Sequence, residues 1–129
     1  MEKNMEIEIP GVDVNKGLDL CDGDLDIYLR ILRSYVSDMH SNIEKIKKVS
    51  KETLKGYAVS IHGVKSTSEA VGAEELRKKA KELEEMAKCG DLDGVLTKNN
   101  NLIKYIENIV DGIQLFLKKY DAAGGESLR

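Results

Sequence analysis

The chain has few of the residues that interrupt helices or build disulfide frameworks. Its 129 residues include one proline, no tryptophan and two cysteines. Cys21 and Cys89 lie far apart, without a CxxC spacing or a second histidine nearby to complete a zinc site, so we expect free, partly buried thiols. The scarcity of proline and the abundance of Glu, Lys, Leu and Ile favour helices over sheets. The composition therefore predicts an all-α fold.

A basic surface and a long apolar run are also missing. The formal net charge is −3, whereas proteins that bind nucleic acids cluster Lys and Arg against the phosphates. No apolar run approaches the roughly 20 residues that span a bilayer, and residues 1–6 lack the apolar core of a signal peptide. We therefore expect no nucleic-acid or membrane partner, and a cytoplasmic location for either a free protein or a piece of a larger one.

The length of the chain fits one domain with a single core. We expect an irregular lead-in over residues 1–10 and a helical bundle over residues 11–120. Residues 121–129 have no apolar face, which predicts a disordered tail. A monomer is expected.

Apolar spacing predicts one short helix and four longer ones. Asp13 can cap the short helix from Val14 to Leu20, and the cluster Asp22-Gly23-Asp24 breaks the chain and caps the first long helix. An apolar seam with alternating steps of three and four follows that helix: Leu25, Leu29, Leu32, Val36, Met39, Ile43 and Ile46. The simplest way to bury such seams is an antiparallel up-and-down four-helix bundle, with the short helix as an extra N-terminal element.

The other long helices follow breaks in the pattern. Ser50 or Thr53 can cap the second, which should end near Gly72. The third begins at Glu74, with a narrow apolar face of Leu76, Ala80, Leu83 and Ala87. Its lysines and glutamates, including Glu84, indicate a solvated face with i,i+4 pairs. The fourth runs from Leu92 nearly to the end of the chain.

His62 belongs to the second long helix but falls outside its apolar face. Six residues are predicted to form that face: Leu54, Tyr57, Ile61, Val64, Ser68 and Val71. Five other residues lie within one or two turns of His62 on the flank: Ala58, Val59, Lys65, Ser66 and Glu69. An incoming molecule can therefore meet His62 beside a cation and small side chains.

These surroundings suit the transfer of a phosphoryl group. A free imidazole has a pKa of about 6.5, so an exposed histidine is mostly neutral at neutral pH and can use a ring nitrogen as a nucleophile. Lys65 can stabilise phosphoryl charge, and Ser66 is small and can donate a hydrogen bond. The chain has no GxxxxGK[ST] loop, no GxGxxG and no carboxylate cluster for Mg²⁺, so we expect a partner to supply the metal.

The run from His62 to Ala73, HGVKSTSEAVGA, resembles the core motif of histidine-containing phosphotransfer (HPt) domains. In that family the phosphoacceptor histidine is followed by lysine at +3, a small residue at +4 and Gly-Ala at +10 and +11. Residues 11–18 and 23–28 also resemble the short N-terminal helix of the family and the entry to its first long helix. The resemblance covers roughly residues 10–118 and implies a four-helix bundle.

The resemblance implies a phosphorelay function in two-component signalling. His62 would be the phosphoacceptor, and Lys65 would assist the phosphoryl group. From their positions around His62, we expect Ala58, Val59 and Glu69 to belong to the partner-binding surface. The implied partner is a receiver domain that carries the Mg²⁺ and exchanges phosphate through an aspartate, so no cofactor is expected on this chain and the chain itself is not an enzyme. Ser66 stands where the family usually has glycine.

Other interpretations remain open from the residues alone. A non-catalytic helical adaptor could bind a signalling partner through the same face, and a lone surface histidine often has no function. His40 is the comparison within the chain, because Ile43 and Glu44 take the places of Lys65 and Ser66; we interpret His40 as structural or solvated. A metal-binding bundle is disfavoured, since inward-facing Glu-x-x-His pairs are missing.

Overall fold

Five helices account for most of the chain. A computed structural model describes residues 7–124, and its helices are α1 Val14–Leu20, α2 Leu25–Ile46, α3 Leu54–Val71, α4 Glu74–Lys88 and α5 Leu92–Ala122. Within the described range the only β-type pairing is an isolated bridge between Ile9 and Val12. The expected all-α fold is confirmed. Most of the expected lead-in, residues 1–6, and of the expected tail, residues 125–129, lies outside the described range.

Aspartate side chains begin three of the helices. Asp13, Asp24 and Asp91 each accept a hydrogen bond from a backbone N–H in the first turn of α1, α2 and α5, which satisfies a donor that the helix itself leaves unpaired. Thr53 occupies the N-cap position of α3, but its side chain makes no capping bond there. The Thr53 hydroxyl instead accepts a hydrogen bond from the backbone N–H of Ser50 at 2.8 Å.

Gly72 ends α3 as the sequence predicts. It adopts the left-handed conformation with φ of 92°, where a side chain is disfavoured. A Cβ at this position would also overlap the carbonyl oxygen of Asp13, and the Asp13 N–H donates to the Gly72 carbonyl at 2.8 Å. The glycine therefore lets the start of α1 lie directly against the end of α3.

The predicted seam of α2 proves incomplete, because two tyrosines join the core. Tyr28 and Tyr35 are buried, although the aliphatic spacing leaves them off the seam. The Tyr28 hydroxyl donates to the Val71 carbonyl at 2.8 Å, and the hydroxyls of Tyr35 and Ser68 lie 2.9 Å apart. Burial of these rings is compatible with their polar ends because each hydroxyl finds a partner on α3.

The four long helices pack in a ring. α3 packs against α2 and α4, and α5 packs against the same two helices. The Tyr57 hydroxyl donates to Asn99 Oδ1 at 2.7 Å, and Asn99 Nδ2 donates to the Ile46 carbonyl at 2.7 Å. This pair of buried hydrogen bonds ties α3 to α5 and the end of α2, and α4 lies along the other flank of α3.

α5 extends further than expected. It ends at Ala122, two residues inside the segment assigned to a disordered tail. Tyr120 is buried, and Arg33 of α2 donates to both carboxylate oxygens of Asp121, at 2.8 and 3.3 Å. These contacts hold the last turn against α2. Among the helices of residues 7–124, none is both long enough and apolar enough to cross a bilayer.

Candidate functional site

His62 lies on the exposed flank of α3, as the helical periodicity predicts. All six residues of the predicted apolar face of α3 are buried, which fixes the rotation of the helix. The His62 side chain is 58% exposed. Because α4 packs along this flank, one edge of the imidazole faces α4 while the rest faces solvent.

Glu84 of α4 is the residue that meets this edge, and the expectation that it faces solvent is wrong. Its side chain is only 3% exposed. Glu84 lies four residues after Ala80 and three before Ala87, both buried, so it belongs to the face of α4 that packs on α3. The many lysines and glutamates of α4 obscured this spacing. The signal in the sequence that could have indicated the burial of Glu84 was its position on the core-facing side of a charged helix.

The Glu84 carboxylate has three donors around it. His62 Nδ1 lies 2.8 Å from Oε2, and Lys65 Nζ lies 2.8 Å from Oε1. Lys88, one turn further along α4, places its Nζ 3.0 Å from Oε2. A carboxylate this buried requires such partners, because an unpaired buried charge is strongly destabilising.

The donors keep Glu84 ionised. Burial by itself raises the pKa of the Glu84 carboxyl, because it penalises the charged form. Hydrogen bonds from Lys65, Lys88 and His62 outweigh burial and lower this pKa to about 2. Glu84 is therefore a carboxylate at every physiological pH.

An ionised carboxylate fixes the tautomer of the imidazole. A carboxylate only accepts hydrogen bonds, so Nδ1 of His62 must carry a proton and donate it to Oε2. In the neutral ring the lone pair then resides on Nε2. The neutral ring thus has a single nucleophilic nitrogen, Nε2, while its other nitrogen is held by Glu84.

The other expected site residues lie around the ring in different ways. Lys65 contacts Glu84 and lies on the same side of α3 as His62. Ser66 and Glu69 are exposed, further along the helix. Ala58 is buried, and Val59 is 74% exposed, the highest value among the large apolar side chains described as exposed. The structure therefore places all the expected residues on one side of α3 and adds Glu84 and Lys88 from α4.

An open depression lies beside the imidazole. It has five lining residues: Ala58, Val59, His62, Glu84 and Lys88. One wall is apolar and the other carries the charged pair, so a ligand there meets an aliphatic contact, a ring nitrogen and an ammonium group.

His40, the other histidine, has different neighbours. It is exposed on α2 and lies in a polar groove between α2 and α5, together with Glu44, Lys47 and Asp111. Within residues 7–124, no group of three or more His, Cys, Asp or Glu side chains is arranged to hold a metal ion. Comparison of the chain with models of known families, with curated proteins and with solved structures finds no match.

Proposed function

We propose that the protein is a phosphorelay carrier of the HPt type in two-component signal transduction. His62 accepts a phosphoryl group from the aspartate of one receiver domain and passes it to another. The observation that carries the proposal is the hydrogen bond between His62 Nδ1 and the buried Glu84 carboxylate, which leaves Nε2 as the nucleophilic nitrogen of a side chain that is 58% exposed. The motif from His62 to Ala73 supports the same function.

The transfer step follows from this geometry. The Nε2 lone pair attacks phosphorus while the bond from phosphorus to the aspartyl oxygen breaks, and the receiver's aspartate leaves as a carboxylate. Nδ1 keeps its proton, so the ring gains a positive charge as the N–P bond forms. Glu84, 2.8 Å from Nδ1, stabilises that charge. Transfer onward reverses the step, and the Mg²⁺ that neutralises phosphoryl charge belongs to the receiver.

The arrangement of the helices is part of the proposal. The ring of packing contacts α2, α3, α4, α5 and short connections support an antiparallel up-and-down four-helix bundle with α1 as an extra N-terminal element. In such a bundle, α3 and α4 are adjacent and antiparallel. A histidine of one and a carboxylate of the other then meet at the bundle surface, where a partner domain has access.

The partner-binding surface centres on α3. Val59 is highly exposed and Ala58 lies beside it in the depression, which gives the apolar centre that transient interfaces commonly have. Ser66, one turn beyond His62, is small and leaves space for the partner to approach the imidazole. Glu69 extends the surface by another turn. We propose that a receiver domain docks here with its aspartyl phosphate aimed at Nε2.

The test is phosphotransfer from a phosphorylated receiver domain in the presence of Mg²⁺. The chain has only two histidines, so His62→Gln and His40→Gln form a matched pair. We expect acid-labile label in the wild type and in His40→Gln, and none in His62→Gln. Label that persists in His62→Gln refutes the assignment of the phosphoacceptor.

The same assay separates the carrier from a non-catalytic adaptor. An adaptor binds a receiver through Val59 but takes no label, and its binding survives His62→Ala. Val59→Asp should abolish binding under either function, and transfer as well if the protein is a carrier. Ser66→Gly, which restores the residue usual in HPt domains, should leave His62 labelled and change which receivers transfer fastest.

A further inference from the structure

The two lysines that contact Glu84 differ in how exposed their side chains are and in how freely they can move. The Lys65 side chain is 25% exposed and bonds Oε1, the carboxylate oxygen remote from the histidine. The Lys88 side chain is 64% exposed and shares Oε2 with His62. A lysine at the surface on a flexible stem can exchange one anionic partner for another. Lys88 has that freedom to a greater degree than Lys65.

The two lysines also differ in whether they line the depression beside the imidazole. Side chains lean towards the N-terminus of their own helix, so the His62 ring leans over Ala58 and Val59, one turn earlier. Lys88 lines the depression together with these residues, and Lys65 does not. A group attached to Nε2 within this depression therefore meets Lys88.

We propose that Lys88 binds the phosphoryl group on His62, while Lys65 is a positioning residue that holds Glu84. The inference rests on the proposed phosphorelay function and changes the division of tasks that the motif implies for Lys65. It adds a residue of α4 to a site that the sequence places on α3 alone.

Every charged group has a partner in both states. Before transfer, Glu84 is paired with both Lys65 and Lys88, which leaves the cluster with one excess positive charge. After transfer, the ring carries a positive charge and the phosphoryl group about two negative charges. Glu84 then retains Lys65 and the charged ring as partners, which releases the Lys88 ammonium to a phosphoryl oxygen. No ion is left buried without a partner at either stage.

A direct test uses the pKa of the phosphoryl group, measured by ³¹P NMR. Phosphoramidate, a small phosphoryl donor, should label His62 without any receiver, and a pH titration of the ³¹P signal then gives the phosphoryl pKa. Lys88→Ala and Lys65→Ala are compared with Lys78→Ala, an exposed lysine of α4 that pairs with Glu75. Lys88→Arg tests whether another cation restores the contact.

We expect Lys88→Ala to raise the phosphoryl pKa, because a contacting cation favours the dianion. Lys65→Ala and Lys78→Ala should leave it close to that of the wild type, and Lys88→Arg should retain the low value. An increase in Lys65→Ala with none in Lys88→Ala would overturn the inference. Failure of phosphoramidate to label wild-type His62 would also overturn it, since an open Nε2 beside a cation is the premise.

Transfer kinetics provide the second arm. With a phosphorylated receiver, Lys88→Ala should slow labelling about tenfold or more, the typical loss of a hydrogen bond to a charged group. Urea unfolding should show a larger loss of stability in Lys65→Ala than in Lys88→Ala, since Lys65 is the less exposed partner. Equal transfer rates in Lys88→Ala and Lys78→Ala would refute the role of Lys88.

The two arms separate this inference from the proposed function. If no receiver labels the wild type while the ³¹P titration still depends on Lys88, the phosphorelay function fails and the contact stands. If receivers label the wild type and neither arm depends on Lys88, the function stands and the inference is refuted.

Discussion

Replacement of Glu84 with glutamine should destabilise the protein at neutral pH. Glutamine keeps the size of the side chain but removes the charge that Lys65, Lys88 and His62 surround. In the variant, two ammonium groups face one another across a neutral amide. The expected loss of stability is large, because the substitution removes the central anion of a buried ionic cluster.

The magnitude follows from the pKa of Glu84. This pKa falls from an ordinary value of 4.5 to about 2 in the folded protein. Each unit corresponds to about 1.4 kcal/mol, so ionised Glu84 contributes at most about 3–4 kcal/mol to the free energy of unfolding. Both lysines lie partly in solvent, where screening weakens ion pairs, so we expect about 2 kcal/mol.

The sign of the pH dependence is fixed by the lowered pKa. A carboxyl with a lowered pKa in the folded state contributes its full stabilisation above the unfolded pKa. The contribution is lost as the pH falls from about 4.5 to about 2. The wild type and Glu84→Gln should therefore differ at pH 7 and converge towards pH 2.

Urea unfolding at several pH values measures this difference. Glu74 and Asp121 also have lowered pKa values, so acid weakens both proteins through them, and only the difference between the proteins reports on Glu84. Glu85→Gln is the matched control, since Glu85 is the exposed neighbour on the same helix. A stability of Glu84→Gln equal to that of Glu85→Gln at pH 7 would refute the account of a buried, charge-paired carboxylate.

Three further substitutions test the fold around the site. Gly72→Ala should lower stability by more than about 2 kcal/mol in urea unfolding, since a left-handed φ and a clash with the Asp13 carbonyl combine; a loss below about 0.5 kcal/mol would contradict this. Tyr57→Phe leaves Asn99 Oδ1 without its donor and should cost about 1–2 kcal/mol by the same measurement, whereas no loss would argue against that bond. Gly63→Ala should raise the free energy of unfolding by about 1 kcal/mol, because the added Cβ meets nothing within 4 Å. A lower free energy of unfolding would indicate a contact that the structure lacks.

The helices and the position of His62 were predictable because they depend on local patterns. Apolar spacing identified the buried face of α3, and from that face the exposed flank of His62 followed directly. Asp13, Asp24 and Gly72 were predictable for a similar reason, since caps depend on residues only a few positions apart.

The charge cluster was not predictable from these patterns, because it depends on which flank of α3 receives α4. His62 and Glu84 are far apart in sequence, and nothing in the run of α4 assigns one glutamate among several to a histidine. Tyr28 and Tyr35 were missed for a related reason: their burial depends on hydroxyl partners on α3. Long-range pairing, rather than local pattern, decides both cases.

In the function that we propose, Glu84 holds Nδ1 of His62 and directs phosphoryl transfer to Nε2. The most direct measurement is a ¹H–³¹P and ¹H–¹⁵N NMR experiment on the protein labelled by a phosphorylated receiver, which identifies the ring nitrogen bonded to phosphorus. We expect phosphorus on Nε2 of His62 and a proton retained on Nδ1. Phosphorus on Nδ1, or on either nitrogen of His40, would contradict it.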